Sequence, residues 1–409
     1  MTAREFPRSF LFGTATSATQ IEGHCFTSDW SAFAAEPGRI KHGDRPDIAC
    51  DSWHRWREDI ALQRSLGMGA YRFGVEWARV EPSRGEVDHA ALDEYRSMLG
   101  ALREAAIEPM VTLHHFTLPA WLAREGGLLA PSFPDSLARF ARLAADALGD
   151  LCRLWITINE PNVLAAHGYL LGVWPPAKRA PWLAWRAHQQ LLRAHDAAYR
   201  ALKEARPEAQ VGVAHHLRVI QPQRDVAADR IAARVYRALF NDPFARAVCA
   251  AGTQDFFGIN YYSRDLVRFS PRHAGEMFLH RGVGEGTETS DLGWEIYPAG
   301  LGMVIREWAQ RSGLPVYVTE NGIADAHDTR RAAFLEAHLL ELARAIADGV
   351  DVRGYFHWSL LDNFEWADGY GPRFGLVEVD FGTLERKARP SAHVYARIAR
   401  ERTMDLGET

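Results

Sequence analysis

Eight short apolar runs, alternating with helix-forming stretches, constrain this chain more than any other feature. The runs are Phe10 to Thr16, Ala70 to Trp77, Ile107 to His115, Leu154 to Glu160, Gln210 to His216, Asp255 to Tyr262, Leu314 to Glu320 and Val352 to Leu361. Each reads as a buried strand. Between them lie helical stretches: Trp53 to Leu66, Asp88 to Ala106, Pro134 to Leu148, Trp182 to Glu204, Arg224 to Ala250, Pro298 to Ser312 and Thr329 to Ala347. Leu335, Leu339, Leu342 and Ile346 share one helical face, with Asp328 or Thr329 as the cap. Alternation of this kind builds either a doubly wound sheet or a barrel. No Gly-x-Gly-x-x-Gly follows the first run, and nearly every run ends in a polar or aromatic residue. Those ends are Gln20 (just past its run), Arg72 with Glu76, His115, Asn159 with Glu160, His215 with His216, Tyr262, Glu320 and Trp358. A barrel builds its site from the C-terminal ends of several strands, so the pattern predicts a (β/α)8 TIM barrel. No Pro/Ser/Gly-rich linker divides the chain, which predicts one domain over residues 1–409, with the longest insertions after the first, fourth and sixth strands.

Composition excludes several classes. Net charge is −5 without an acidic or basic block, which argues against nucleic-acid and membrane-surface partners. Cys25, Cys50, Cys152 and Cys249 are far apart and form no Cys-x-x-Cys pair, which suits a reducing cytosol and neither a zinc site nor a disulfide framework. The first residues carry no basic-then-apolar signal region. Cytoplasmic location is the expectation. His24, His42, His54 and His195 read as surface or satisfied polar groups rather than metal ligands, and no metal or cofactor is expected.

Two strand ends share one construction. Val318-Thr319-Glu320-Asn321-Gly322 and Trp155-Ile156-Thr157-Ile158-Asn159-Glu160-Pro161 both run from apolar residues into a carboxylate beside an Asn. Either alone is no more than a glutamate on a strand-to-helix loop. As ends of the fourth and seventh strands of a closed barrel, Glu160 and Glu320 face one another across the mouth. Glycoside hydrolysis requires such a pair: one carboxyl protonates the departing oxygen, and the other attacks the anomeric carbon or activates water. A third cluster, Tyr355 to Trp366, couples a strand to Glu365 and Trp366. A carboxylate beside an indole suits a sugar, the acid accepting hydroxyl hydrogen bonds and the ring covering a C–H face. Trp358 alone reads equally as core.

These residues resemble family 1 glycoside hydrolases, the β-glucosidase family. The resemblance rests on Asn159-Glu160-Pro161, Thr319-Glu320-Asn321-Gly322, the Trp358 to Trp366 segment, Phe10 to Gly23, Tyr71-Arg72-Phe73, Gly258 to Tyr262, Gly293 to Tyr297 and Arg373-Phe374-Gly375, in the family's order. It implies a retaining exo-β-glycosidase on a (β/α)8 barrel, acting on small-molecule β-glucosides and also β-galactosides or β-fucosides. Carried over residue by residue, Glu160 is the general acid/base and Glu320 the nucleophile. Gln20, His115, Asn159, Glu365 and Trp366 hold the sugar, Trp358 lies beneath it, Arg72 and Tyr262 flank the nucleophile, and Asn260 orders the site. Arg72 and the Tyr262 hydroxyl would favour ionised Glu320, whose charge would keep Glu160 protonated. Trp174-Pro175-Pro176 and Trp294 would line the leaving-group side. A transglycosidase using the same double displacement, and a catalytically silent carbohydrate-binding barrel, are the alternatives.

Departures from the family pattern concern subsite shape. Phe116-Thr117 stands where Trp and Asp are usual, Gly74-Val75-Glu76 adds a carboxylate expected to pair with Arg72, His216 replaces a frequent Asn, and the loop after Gly23 is short. The loop from Glu365 to Tyr370 lacks the basic residue that a phosphorylated sugar would need.

Overall fold

The computed structural model describes residues 3–272 and 279–405. The eight runs form β1 (Leu11–Ala15), β2 (Ala70–Gly74), β3 (Glu108–His114), β4 (Leu154–Asn159), β5 (Gln210–His216), β6 (Phe256–Asn260), β7 (Val316–Asn321) and β8 (Val352–Trp358). Consecutive strands pair in parallel, and β8 pairs β1, closing a (β/α)8 barrel. Helices α1 (Ser52–Ser65), α2 (His89–Glu104), α3 (Phe133–Leu148), α4 (Pro181–Ala205), α5 (Ala227–Phe240), α6 (Asp242–Ala251), α7 (Pro298–Ser312), α8 (Arg331–Ala347) and α9 (Pro390–Glu401) follow the strands in chain order.

The strands are buried on both faces, which is why they read as continuous apolar runs rather than alternating ones. Within β4, Leu154 and Ile156 join Met110, Phe256, Tyr317 and Phe356 in one apolar cluster, while Trp155 belongs to the larger cluster that includes helix residues. Thr157 bonds His195 of α4 at 2.7 Å, so that buried histidine is a helix-to-strand tie.

Several boundaries differ from the sequence reading. The run to Trp77 stops at Gly74, because the Glu76 side chain accepts from the Ala78 amide and starts a short helix, Trp77–Val80. The stretch from Arg224 to Ala250 divides at Asn241. Pro243 there has no N–H with which to continue the helical ladder. Neither Asp328 nor Thr329 caps α8. Asp325 accepts from the Arg330 and Arg331 amides at 2.8 and 3.0 Å, whereas Asp328 accepts from the Ser391 amide and so serves the start of α9. The third long segment follows β8 (359–389) and not β4 (160–180), beside those after β1 (16–51) and β6 (261–297). Part of the segments after β5 and β6 forms a small sheet in which Val219–Pro222 runs parallel to Arg264–Phe269. Among the described residues, no helix is long and apolar enough to cross a membrane.

Candidate active site

The apolar strand β7 delivers Glu320 to the barrel mouth. Its pairing with β6 and with β8 slips after Val318, so the end of the strand departs from regular alternation. Irregularities of this kind re-aim side chains beside functional sites. Gly322 is required two residues on: a Cβ there would lie 1.7 Å from the Trp358 carbonyl oxygen. Glu320 is buried and both its oxygens are engaged. Arg72 Nη1 donates to Oε1 and the Tyr262 hydroxyl to Oε2, each at 2.6 Å. Arg72 is fully buried and held on every side. Its Nε donates to Thr112 at 3.1 Å, Nη1 also reaches the Thr319 carbonyl, and Nη2 donates to Asn159 at 2.7 Å.

Strand β4 repeats the construction, with a register slip between Ile156 and Asn159. Glu160 follows it in the left-handed region, φ 43°, and Pro161 opens the short helix Pro161–Ala165. A left-handed glutamate is costly by about 1 kcal/mol or more, a strain typical of functional turns. Its Oε1 accepts two hydrogen bonds at 2.9 Å, from Asn260 Nδ2 and His216 Nδ1. Thr319 donates to Asn260 Oδ1 at 2.6 Å, which fixes the amide with its NH2 toward Glu160. Asn260 stands in register with His216 on β5 and with Glu320 on β7, so one residue bridges both carboxylate neighbourhoods.

The electrostatics are those of a carboxyl pair sharing one proton. Burial raises Glu320 to about 7 despite Arg72, and the charge of Glu160 adds to the rise. The pair therefore holds one proton up to about pH 7, a property of the two groups together. The donors decide where it resides. Glu320 faces a permanent guanidinium and a phenol that burial and Glu320 itself keep protonated. Glu160 has neutral donors, both on Oε1, and among the described residues none bonds Oε2. An imidazolium at His216 would hold Glu160 below the carboxylate range against its burial. Arg218 Nε donates to His216 Nε2 at 3.1 Å, however, so that nitrogen presents a lone pair to the guanidinium rather than a proton. These donor sets favour the proton on Glu160 Oε2 and the charge on Glu320.

The remaining expected residues gather around this pair. Asn159 takes the Arg72 and Asn260 donors on its oxygen and directs its amide to His115 Nε2, 3.1 Å away. Burial, then Arg72, keeps His115 neutral. The His115 ring stacks on Trp358 and Trp366, with centroids 5.8 and 6.1 Å away. Trp358 Nε1 donates to Glu365 at 3.2 Å, and burial pushes Glu365 up to about 8. Gln20 is fully buried and tied to Asn363 at 2.8 Å. Trp366 packs with Phe116, Trp174 and Trp30 in one aromatic wall. Trp294 lies over Tyr262, 5.7 Å between centroids, with the Arg218 guanidinium 5.9 Å from its ring.

Two strand-end residues stand elsewhere. Glu76 does not pair with Arg72. It lies beyond the end of β2 and accepts from the Thr19 hydroxyl at 2.6 Å and the Thr117 hydroxyl at 3.1 Å. His215 stacks on Phe257, 4.4 Å away, on the opposite face of β5 from His216. Thr112, Thr319, Arg218 and Asp265 were not legible as site residues. Thr112 and Thr319 act on adjacent strands, Arg218 on His216 two residues before it, and Asp265 on Arg218 from the small sheet, so nothing in the apolar runs marks them. His24, Asp51 and His54 come together at the surface, with ligand-type atoms within 4.8 Å of one another, because Asp51 accepts from both rings.

Comparison with known proteins identifies the family. The sequence model of Glycosyl hydrolase family 1 matches residues 2–253 and 246–404. Beta-glucosidase A of Thermotoga maritima is 35% identical over 99% of this chain and 100% of its own. A bifunctional beta-D-glucosidase/beta-D-fucosidase of Bifidobacterium breve is 35% identical over 96% of this chain and 98% of its own. The structure of the Thermotoga maritima beta-glucosidase in complex with glucoimidazole superposes with a TM-score of 0.92, at 34% identity, over 97% of this chain and 99% of that one. The chain is a glycoside hydrolase and belongs to glycosyl hydrolase family 1.

Proposed function

We propose that the protein is a retaining exo-β-glycosidase that hydrolyses small-molecule β-glucosides, and also β-fucosides or β-galactosides, through a covalent glycosyl-enzyme. One observation carries this reading: the two buried carboxyls have unequal partners. Glu320, bonded by Arg72 and Tyr262, is an oriented anion suited to attack C1. Glu160, with Oε1 taken by Asn260 and His216, is an acid whose Oε2 faces no protein partner among the described residues.

In the first step a Glu320 oxygen bonds to the anomeric carbon as the glycosidic C–O bond breaks. The leaving oxygen keeps the bonding pair and takes the Glu160 proton. Glu320 has then lost its charge, so Glu160 is the more readily ionised group. In the second step Glu160 takes a proton from water, whose oxygen bonds to the anomeric carbon and expels Glu320. Asn159, with its amide NH2 directed into the site, suits the sugar 2-hydroxyl, a contact that strengthens in the transition state. Gln20, His115, Glu365 and Trp366 suit the outer hydroxyls, and Trp358 suits the sugar face. No step requires a cofactor. The dual activity of the Bifidobacterium breve beta-D-glucosidase/beta-D-fucosidase supports extension to fucosides. The unit would comprise residues 1–409 as one catalytic domain. Four free cysteines fit a cytoplasmic location.

The test is hydrolysis of aryl β-glucoside, galactoside, fucoside, mannoside and xyloside by the native enzyme, Glu320→Ala and Glu160→Ala. The product anomer is followed by NMR. A 2-fluoro-2-deoxyglycoside is expected to label Glu320. Inversion, label on another residue, or undiminished activity of Glu320→Ala would overturn the assignment. An added alcohol acceptor distinguishes hydrolysis from transglycosylation by its products.

A further inference from the structure

A neutral amide would suffice to donate to Glu160 Oε1, and Asn260 already does so. The second donor is an imidazole, a group that can itself take a proton. An imidazole 2.9 Å from a general acid is a hazard: a proton moved from Glu160 to His216 leaves an ion pair and no acid. The structure contains a device against this. Arg218 donates through Nε to His216 Nε2 at 3.1 Å, a bond that only an unprotonated Nε2 can accept. The guanidinium also places a fixed positive charge against the ring.

The device is anchored independently of the carboxyls. Arg218 Nη1 is held by Asp265 at 3.0 Å. Asp265 sits on Arg264–Phe269, which pairs in parallel with Val219–Pro222, immediately after Arg218. The Arg218 backbone is clamped at both ends by the Asn241 amide, which accepts from its N–H and donates to its carbonyl. The His216 ring is confined between Tyr262, nearly parallel at 6.0 Å, and Phe240, edge-on at 5.9 Å. Other titratable or charged groups face this corner. Arg72 and Glu320 lie on the barrel side and Tyr262 above the ring. Tyr236 of α5 lies beside Arg218 and Asp265. His167 is kept neutral by burial, its Nδ1 bonded to the Val163 carbonyl. None of these offers His216 Nε2 an acceptor that would stabilise an imidazolium.

We infer that His216 is a positioning residue for the acid/base carboxyl: locked as the neutral Nδ1–H tautomer by Arg218, which Asp265 anchors, it pins Glu160 Oε1 and leaves the transferable proton on Oε2. The inference rests on the assignment of Glu160 made above. Its sign is definite. Without the Arg218 donor nothing holds His216 Nε2 as an acceptor, and a second ring proton there would pair with a Glu160 anion and leave no acid. Lower pH returns a proton to Glu160 and restores the acid as far as Glu320 stays ionised.

The experiment compares kcat/KM on two substrates, across pH. Methyl β-glucoside needs a proton on its leaving oxygen, and 2,4-dinitrophenyl β-glucoside does not. In Arg218→Met, methyl glucoside turnover at neutral pH is expected to fall about tenfold or more, within the range of a general-acid contribution. The dinitrophenyl substrate is expected to stay near native, and the methyl glucoside optimum to move to lower pH. The double variant H216N/R218M is expected to recover, since Asn donates to Oε1 without competing for the proton. Asp265→Asn, which loosens Arg218 without removing its charge, gives the same direction with a smaller change, and serves if R218M does not fold. Equal loss on both substrates, no loss on either, or a double variant no better than R218M would overturn the inference. Failure of the underlying reading has a separate signature. Glu160→Ala would then show no preferential loss on the methyl glucoside, whatever Arg218 variants do.

Discussion

Replacing Tyr262 by Phe removes one oxygen and leaves the ring. The ring is buried against His216, Trp294 and Phe374, so packing survives and the change is electrostatic. The lost bond is a 2.6 Å donation to Glu320 Oε2. Hydrogen bonds to charged groups contribute about 1.5–3 kcal/mol. At about 1.4 kcal/mol per pH unit, the Glu320 anion becomes harder to form by about 1–2 units. The sign on each limb of the pH–kcat/KM curve follows from the proton assignment. The active form has Glu320 ionised and Glu160 protonated. The acid limb reports loss of the Glu320 anion, so it moves up by about 1–2 units. The alkaline limb reports ionisation of Glu160 with Glu320 already charged on both sides of the step. It stays in place. The assay is kcat/KM for an aryl β-glucoside from pH 4 to 9, with thermal unfolding as a check on the fold. A stationary acid limb, or movement of the alkaline limb instead, would refute the assignment of the proton to Glu160.

Three further outcomes follow from other parts of the molecule. Asp362 and Arg389 form a buried two-point ion pair, 2.9 Å on each arm, behind the loop that carries Glu365. Arg389→Met leaves that carboxylate with the Gly375 amide at 2.9 Å and Arg373 at 3.5 Å, and is expected to destabilise by about 3 kcal/mol in urea unfolding. Burial raises Asp29 to about 7, above its unfolded value, so the native state binds more protons between about pH 4 and 7 and stability falls as pH rises through that window. The drop in Tm from pH 5 to pH 8 is expected to be smaller in Asp29→Asn, whose side-chain oxygen still accepts from the Leu118 amide. Burial also keeps Glu365 protonated up to about 8. Glu365→Gln mimics that neutral acid, so it is expected to raise the Ki for glucose less than Glu365→Leu does, measured by competitive inhibition.

The barrel was legible because its strands are buried on both faces, and apolar runs closed by polar residues survive without context. Glu160 and Glu320 stood out for the same reason: each interrupts an apolar run where packing offers no use for a charge. The pairing of Arg72 and Tyr262 with Glu320 followed from the resemblance and matches the geometry. Glu76 misled because proximity in sequence to Arg72 suggested a pair. The strand ends between them, and a short helix turns the carboxylate toward Thr19 and Thr117. Asp328 misled likewise, serving a helix 62 positions along the chain, at Pro390, rather than the adjacent one.

Sequence alone determined the order of the elements, the strand ends that meet at the mouth, and the two carboxyls there, since each is a local pattern of burial and polarity. Only the tertiary structure brings together the groups that bear on which carboxyl holds the proton. That choice depends on donors from different strands and loops: Arg72 from β2, Asn260 from β6, Tyr262 beyond it, His216 from β5 with Arg218 behind it. Proton affinity depends on distance in space, which closure of the barrel sets and sequence spacing does not record.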